Sequence, residues 1–249
     1  MEVMMNRDFC ALNARAVAPL FWPDVGFYDR AASRLAALLN VDGAIRFNPL
    51  MERSYLRANR WIDFHCLAFF AHYPKAMAVE LGAGLSTRFH RLSEQHEWPQ
   101  FSWVDVDAPD IVQLKMDAMP LIDNYQLISN TASPQAVVNT CGWQGTTPLL
   151  VSIDGISREQ DHKACLALLQ ELLRLRQPGV EIALLLAGQI HERRSGYKSW
   201  WRFWKRQSGM INWPQVIAGL GGEIKQLETF RPGKYSCQSV TCISASFSE

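Results

Sequence analysis

No apolar run in this 249-residue chain approaches the roughly 20 residues that a helical membrane span requires. Met1 to Asp8 carries acids and no apolar core, so no secretory leader is expected there. Neither sign of charge is in excess. The 25 Lys and Arg against 24 Asp and Glu leave a formal charge of +1, which gives no global attraction to nucleic acid or to an anionic membrane. The six cysteines (Cys10, Cys66, Cys141, Cys165, Cys237 and Cys242) form no CxxC pair, so reduced thiols and a cytoplasmic location are expected. HExxH, paired zinc knuckles and acidic calcium loops are missing, and no metal is expected. Internal repeats and low-complexity stretches are missing too. The remainder is ordinary globular usage, 48% hydrophobic and 20% charged, enough for the core of one large α/β domain.

The first 74 residues read as helical. Apolar residues recur at helical spacing over 24–40 (Leu35, Leu38, Leu39) and over 51–70 (Tyr55, Ile62, Phe64, Leu67, Phe70). Asn48-Pro49 signals a helix start, and Tyr73-Pro74 closes the block. Strands and helices alternate from there. Strands are expected at 77–81, 101–106, 126–129, 149–153 and 181–186, with helices at 85–96, 109–119 and 159–176. Two further strands, 223–228 and 236–246, read as a hairpin added to the sheet edge, turned by Pro232-Gly233. Continuous apolar strands separated by helices predict a parallel sheet covered on both faces. The expected organisation is a helical cap over 1–74 and a cofactor-binding core over 75–249, integrated as one domain.

The most informative run is Val79-Glu80-Leu81-Gly82-Ala83-Gly84-Leu85-Ser86-Thr87-Arg88-Phe89. An apolar strand ends in an acid and two glycines. Glycines after a first strand let a ligand approach the backbone, and the next helix aims its N–H groups at the same place. The second strand, Phe101-Ser102-Trp103-Val104-Asp105-Val106-Asp107, ends in an acid that can accept from both hydroxyls of a ribose. Asp107 lies 25 residues after Gly82, room for one helix and one strand. The third glycine of GxGxxG is missing, and with it the close packing around a pyrophosphate. That disfavours NAD or FAD and favours S-adenosylmethionine, whose product is S-adenosylhomocysteine. Asp105 shares Asp107's face but lies deeper, where it can fix the glycine loop. Asp154 ends an apolar strand and needs a partner if buried.

At these residues the chain resembles the leucine carboxyl methyltransferase family, in its bacterial polyketide O-methyltransferase branch. The matching blocks are 79–92, Trp103-Val104-Asp105-Val106-Asp107-Ala108-Pro109-Asp110 and, more loosely, Val151-Ser152-Ile153-Asp154-Gly155-Ile156. The resemblance spans roughly 50–190. It implies a class I methyltransferase, Rossmann-like fold: a seven-stranded, mostly parallel sheet with an antiparallel last strand and an N-terminal helical cap. It also implies a cofactor loop at Gly82 and Gly84 and a ribose acceptor at Asp107. Asp154 falls near the methionine end, and Arg57 matches the arginine that grips the methionine carboxylate, with Arg60 as its alternative. Glu80, read from its place before the loop, either orients the cofactor's amino group through the loop backbone or anchors that loop. Ser86 replaces the family's aspartate, and Asp154 its glutamate; both departures bear on substrate handling.

An activated methyl donor needs alignment with its acceptor more than it needs acid–base help. A carboxylate acceptor is ionised at neutral pH and needs no base, whereas a phenol benefits from one. No clear base is visible, so catalytic residues stay open, with His191 and Arg158 as candidates and Arg193 or Arg194 as further clamps. A small-molecule or peptide acceptor is expected, without nucleic acid, and a homodimer is compatible with the chain. Tyr197-Lys198-Ser199-Trp200-Trp201-Arg202-Phe203-Trp204-Lys205-Arg206 concentrates aromatic and basic residues. It reads as a substrate lid or core helix. In the competing non-catalytic reading, the Trp200 to Trp204 stretch binds a partner.

Overall fold

The computed structural model describes residues 2–95, 99–120, 122–156, 159–191, 212–231 and 238–248. Among these, seven strands build one sheet: β1 (Met77–Leu81), β2 (Ser102–Asp107), β3 (Tyr125–Ser129), β4 (Leu149–Ile156), β5 (Ile182–His191), β6 (Glu223–Phe230) and β7 (Gln238–Phe247). Their order is β3-β2-β1-β4-β5-β7-β6. Strands β1 to β5 pair in parallel, while β7 is antiparallel to both β5 and β6. The C-terminal hairpin is therefore present. Its second strand takes the inner place beside β5, and its antiparallel pairing with β6 is what a short return connection allows.

The helices are α1 (Glu2–Phe21), α2 (Arg30–Leu38), α3 (Pro49–His72), α4 (Arg88–Ser93), α5 (Pro109–Ala118), α6 (Pro134–Cys141), α7 (Glu159–Leu175) and α8 (Trp213–Gly219). Asn48 caps α3 by accepting from the Leu50 N–H at 3.1 Å, and Pro49 occupies the first turn, where its missing N–H costs nothing. Helix α4 starts later than its periodicity predicts, since 85–87 belongs to the glycine loop. The 24–40 pattern splits into a 3₁₀ turn at Pro23–Val25 and α2, capped by Asp29. Helices α6 and α8, only 8 and 7 residues long, carry too few apolar repeats to be expected from periodicity. Their starts are nevertheless signalled by Ser133-Pro134 and Asn212, whose side chains cap them.

Both sheet faces are buried, as the continuous apolar strands require. On one face Val79, Leu81, Val151, Ile153, Leu184 and Leu186 pack with residues of α6, α7 and α8. On the other, Ala78, Leu150 and Leu185 pack with Ala58, Ile62, Cys66 and Phe70 of α3 and Phe89 of α4. Helix α3 thus belongs to the layer that covers the sheet. Helices α1 and α2 form a third cluster with α5 through Leu12, Leu35 and Ile111, next to Leu85 of the glycine loop. From β1 the chain passes to β2 on one side, and β4 lies on the other. This is the switch point at which open α/β sheets leave a crevice beyond the strand ends.

Candidate cofactor site

A cavity occupies that crevice. Its walls include Gly82, Gly84, Asp107, Asp154, Arg15 and Tyr55. Gly82 and Gly84 adopt φ of +65° and +53°, the left-handed region that side chains disfavour. The Gly82 N–H donates to the Val106 carbonyl at 2.9 Å, tying the loop to β2. The Gly84 N–H donates to Asp107 Oδ2 at 2.6 Å, and the Ala108 N–H donates to Oδ1 at 2.6 Å. A carboxylate accepts up to four hydrogen bonds, and Asp107, oriented by these donors, is of the chemistry that suits a diol. Helix α1 closes the opposite side: a Cβ on Gly84 would lie 2.7 Å from Asp8 Oδ1.

Asp154 reaches the cavity from β4. Its Oδ2 accepts from Arg88 Nη2 at 2.8 Å, while its buried Oδ1 has no hydrogen-bond partner among the described residues. A buried carboxylate oxygen left without a donor is costly, and a ligand ammonium would supply the missing one.

Of its two readings, Glu80 takes the place of a loop anchor and not the one beside the cofactor's amino group. It lies buried beneath the loop, where Oε2 accepts from Ser86 Oγ at 3.0 Å and Oε1 pairs with Arg88 Nη1. It anchors the loop instead of lining the cavity. Burial raises its carboxyl from 4.5 to about 7 against the pull of Arg88. Asp105 has the loop-fixing role that its depth suggests. It accepts from Tyr125 Oη at 2.6 Å and Trp103 Nε1 at 2.8 Å and pairs with Lys115, whose Nζ donates to the Ser86 carbonyl at 2.8 Å.

Arg57 requires a correction. It is exposed on α3, within electrostatic reach of Asp24, and is absent from the cavity wall. Two helical positions turn a side chain by about 200°, so the presence of Tyr55 on the cavity wall sends Arg57 to the far side. Arg60 does not replace it, because its Nη1 donates to the Val25 carbonyl. Among the described residues, two cations of α1, Arg7 and Arg15, line the cavity, and Arg15 is only 3% exposed. Arg15 Nη2 donates to the Leu85 carbonyl at 2.6 Å, and Nη1 donates to Tyr55 Oη. Burial raises the Tyr55 phenol above its ordinary value.

The sequence pattern held no signal for Arg15, which sits in a weakly amphipathic helix with no motif around it. Arg88 was within reach, as an arginine inside the glycine-loop block, but only the fold shows that it is fully buried among carboxylates. His191 ends β5 opposite Gln238. Its side chain, Arg158, Arg193, Arg194 and the 197–206 segment lie outside the described residues.

No family model matches the chain. It is 31% identical over 109 residues to the tetracenomycin polyketide synthesis O-methyltransferase TcmP of Streptomyces glaucescens, a match covering 41% of this chain and 37% of that one. The likeness therefore spans little more than a third of the relative's length. Among solved structures, a Thermobifida fusca protein assigned as a methyltransferase superposes with a TM-score of 0.51 at 16% identity, covering 92% of this chain and 93% of its own. The 4+2 cyclase SpnF superposes with a TM-score of 0.50 at 11% identity, covering 78% of this chain and 82% of its own. The chain has the class I methyltransferase fold, and over 109 of its residues it is similar to a polyketide-synthesis O-methyltransferase.

Proposed function

We propose that this chain is an S-adenosylmethionine-dependent O-methyltransferase acting on a carboxylate or hydroxyl of a small-molecule or peptide acceptor. The observation that carries the reading is the buried Asp154 Oδ1, without a hydrogen-bond partner among the described residues, in the same cavity as the Gly82–Gly84 loop and Asp107. A ribose diol suits Asp107, an ammonium suits Asp154, and a carboxylate suits the guanidinium of Arg15. One cofactor carries all three groups at one end or the other of a nucleoside thioether. When bound, it supplies a methyl group already activated on a positively charged sulfur.

The chain's own residues then have limited tasks. Helix α1 and Tyr55 wall the cavity against water, which sharpens every charge interaction inside it. Tyr55, kept protonated by its burial, offers a hydroxyl donor that can orient an acceptor oxygen. A carboxylate acceptor is ionised at neutral pH, so its methylation needs alignment and no proton removal. The similarity to TcmP favours an acceptor oxygen over nitrogen or carbon.

The test is calorimetric titration with S-adenosylhomocysteine on the wild type and on Asp107→Ala. Binding on the order of micromolar, roughly −8 kcal/mol, that disappears in the variant supports the reading. Absence of binding to a folded wild type refutes it. Binding without methyl transfer to any carboxylate or hydroxyl acceptor would keep the cofactor and remove the reaction.

A further inference from the structure

Six charges, five of them buried and Asp154 half-buried, alternate in sign along a row whose two ends line the cavity. Arg15 Nε lies 3.7 Å from Asp29 Oδ2. Asp29 Oδ2 pairs with Arg91 Nη1. Arg91 grips Asp63 with both Nε (2.7 Å) and Nη2 (2.9 Å). Asp63 Oδ1 accepts from Arg88 Nε at 3.0 Å. Arg88 Nη2 donates to Asp154 Oδ2 at 2.8 Å. The four middle members, Asp29, Arg91, Asp63 and Arg88, stand behind the cavity wall, and only Arg15 and Asp154 line it. The row thus opens into the cavity with a cation at one end and a carboxylate at the other.

We infer that this row is a positioning device for an α-amino-acid zwitterion, and that Asp29 and Asp63, though remote from the ligand, set its affinity. The inference rests on the proposed cofactor reading and deepens it. A carboxylate placed at Arg15 and an ammonium at Asp154 continue the alternation and close the row into a ring. Each member then has an opposite charge on both sides, which is the arrangement that offsets burial of ions. The row draws on the first four α-helices: Arg15 is on α1, Asp29 caps α2, Asp63 is on α3 and both Arg88 and Arg91 are on α4. Occupancy of the zwitterion end therefore tightens the seating of α1 and α2 over the cavity. The adenosine end of the ligand, at Asp107, lies outside the row and gains nothing from it.

That asymmetry supplies the test. Binding of S-adenosylhomocysteine is compared with binding of 5′-methylthioadenosine, which keeps the nucleoside and thioether but lacks the amino acid. Asp29→Asn is the first variant, because asparagine still accepts the Ala32 N–H that caps α2 while the charge is removed. Asp63→Asn is the second, at the other side of Arg91. Each is expected to weaken S-adenosylhomocysteine about tenfold or more, with less than about twofold change for methylthioadenosine. Equal loss of both ligands would mean a structural role alone and would overturn the inference, as would no loss of either. A wild type that binds neither ligand would instead remove the cofactor reading itself.

Discussion

Gly84 and Asp107, 23 residues apart in sequence, are joined by a 2.6 Å hydrogen bond from backbone N–H to carboxylate. The loop that leaves room for a ligand is therefore also what aims the acid that would receive it. Gly84→Ala adds a Cβ 2.7 Å from Asp8 Oδ1 at a φ of +53°, so the Asp8 side chain must turn away and the loop backbone is strained. Its cost is about 1 kcal/mol or more of stability, and its larger effect should fall on ligand affinity. Titration with S-adenosylhomocysteine alongside thermal unfolding separates the two.

Arg15 and Arg57 offer a clean contrast. Arg15→Ala should weaken S-adenosylhomocysteine by roughly 10- to 100-fold, since it removes a charge-assisted pair from a buried site. Arg57→Ala, at an exposed position away from the cavity, should leave the affinity unchanged. A loss confined to the Arg57 variant would reverse the assignment.

Gly145 tests stability without touching the site. Its φ is +74°, and a Cβ there would lie 2.0 Å from the Leu175 carbonyl oxygen, a backbone atom that cannot rotate away. Gly145→Ala should cost about 2 kcal/mol or more. It should lower the melting temperature while the folded fraction binds S-adenosylhomocysteine normally.

Two buried groups give opposing pH dependences. Glu80 is raised from 4.5 to about 7 by burial, so its contribution to stability is full below 4.5 and is lost as pH rises through 7. His90 is lowered from 6.5 to about 4 by burial, then by the nearby Lys115, so its contribution is full above 6.5 and is lost as pH falls toward 4. The two slopes oppose each other between about pH 4 and 7. Glu80→Gln should leave the His90 slope exposed, with stability rising with pH across that window. His90→Phe should expose the reverse slope. Denaturant unfolding of both variants at pH 5 and pH 7 reads the signs directly.

Arg88 is fully buried and pairs with Asp63, Glu80 and Asp154. Arg88→Met leaves Glu80 and Asp154 without their paired cation, while Asp63 keeps Arg91, and should destabilise the fold by about 3–5 kcal/mol. Adding Glu80→Gln should recover part of that loss, because it removes one of the stranded charges. A double variant no more stable than the single one would show that Arg88 acts through packing and not through charge.

The local sequence was sufficient for whatever depends on near neighbours. Strand positions follow from short apolar runs, and the hairpin follows from Pro232-Gly233 between two alternating segments. The turn at Gly82 and Gly84 follows from a backbone that only glycine adopts freely, and Asp107 from its distance to that turn. The place of Arg15 on the cavity wall, and of Arg57 away from it, was not determined in this way. Arg57 and Tyr55 are two residues apart, and which of them faces inward depends on how α3 seats against the sheet. Nor was the row from Arg15 to Asp154, whose links span 14, 62, 28, 25 and 66 residues. Contacts of that separation exist only after helices α1 to α4 have packed. A buried charge looks the same in sequence as an exposed one, and only the tertiary structure decides which carboxylates lose their water and must find a cation instead.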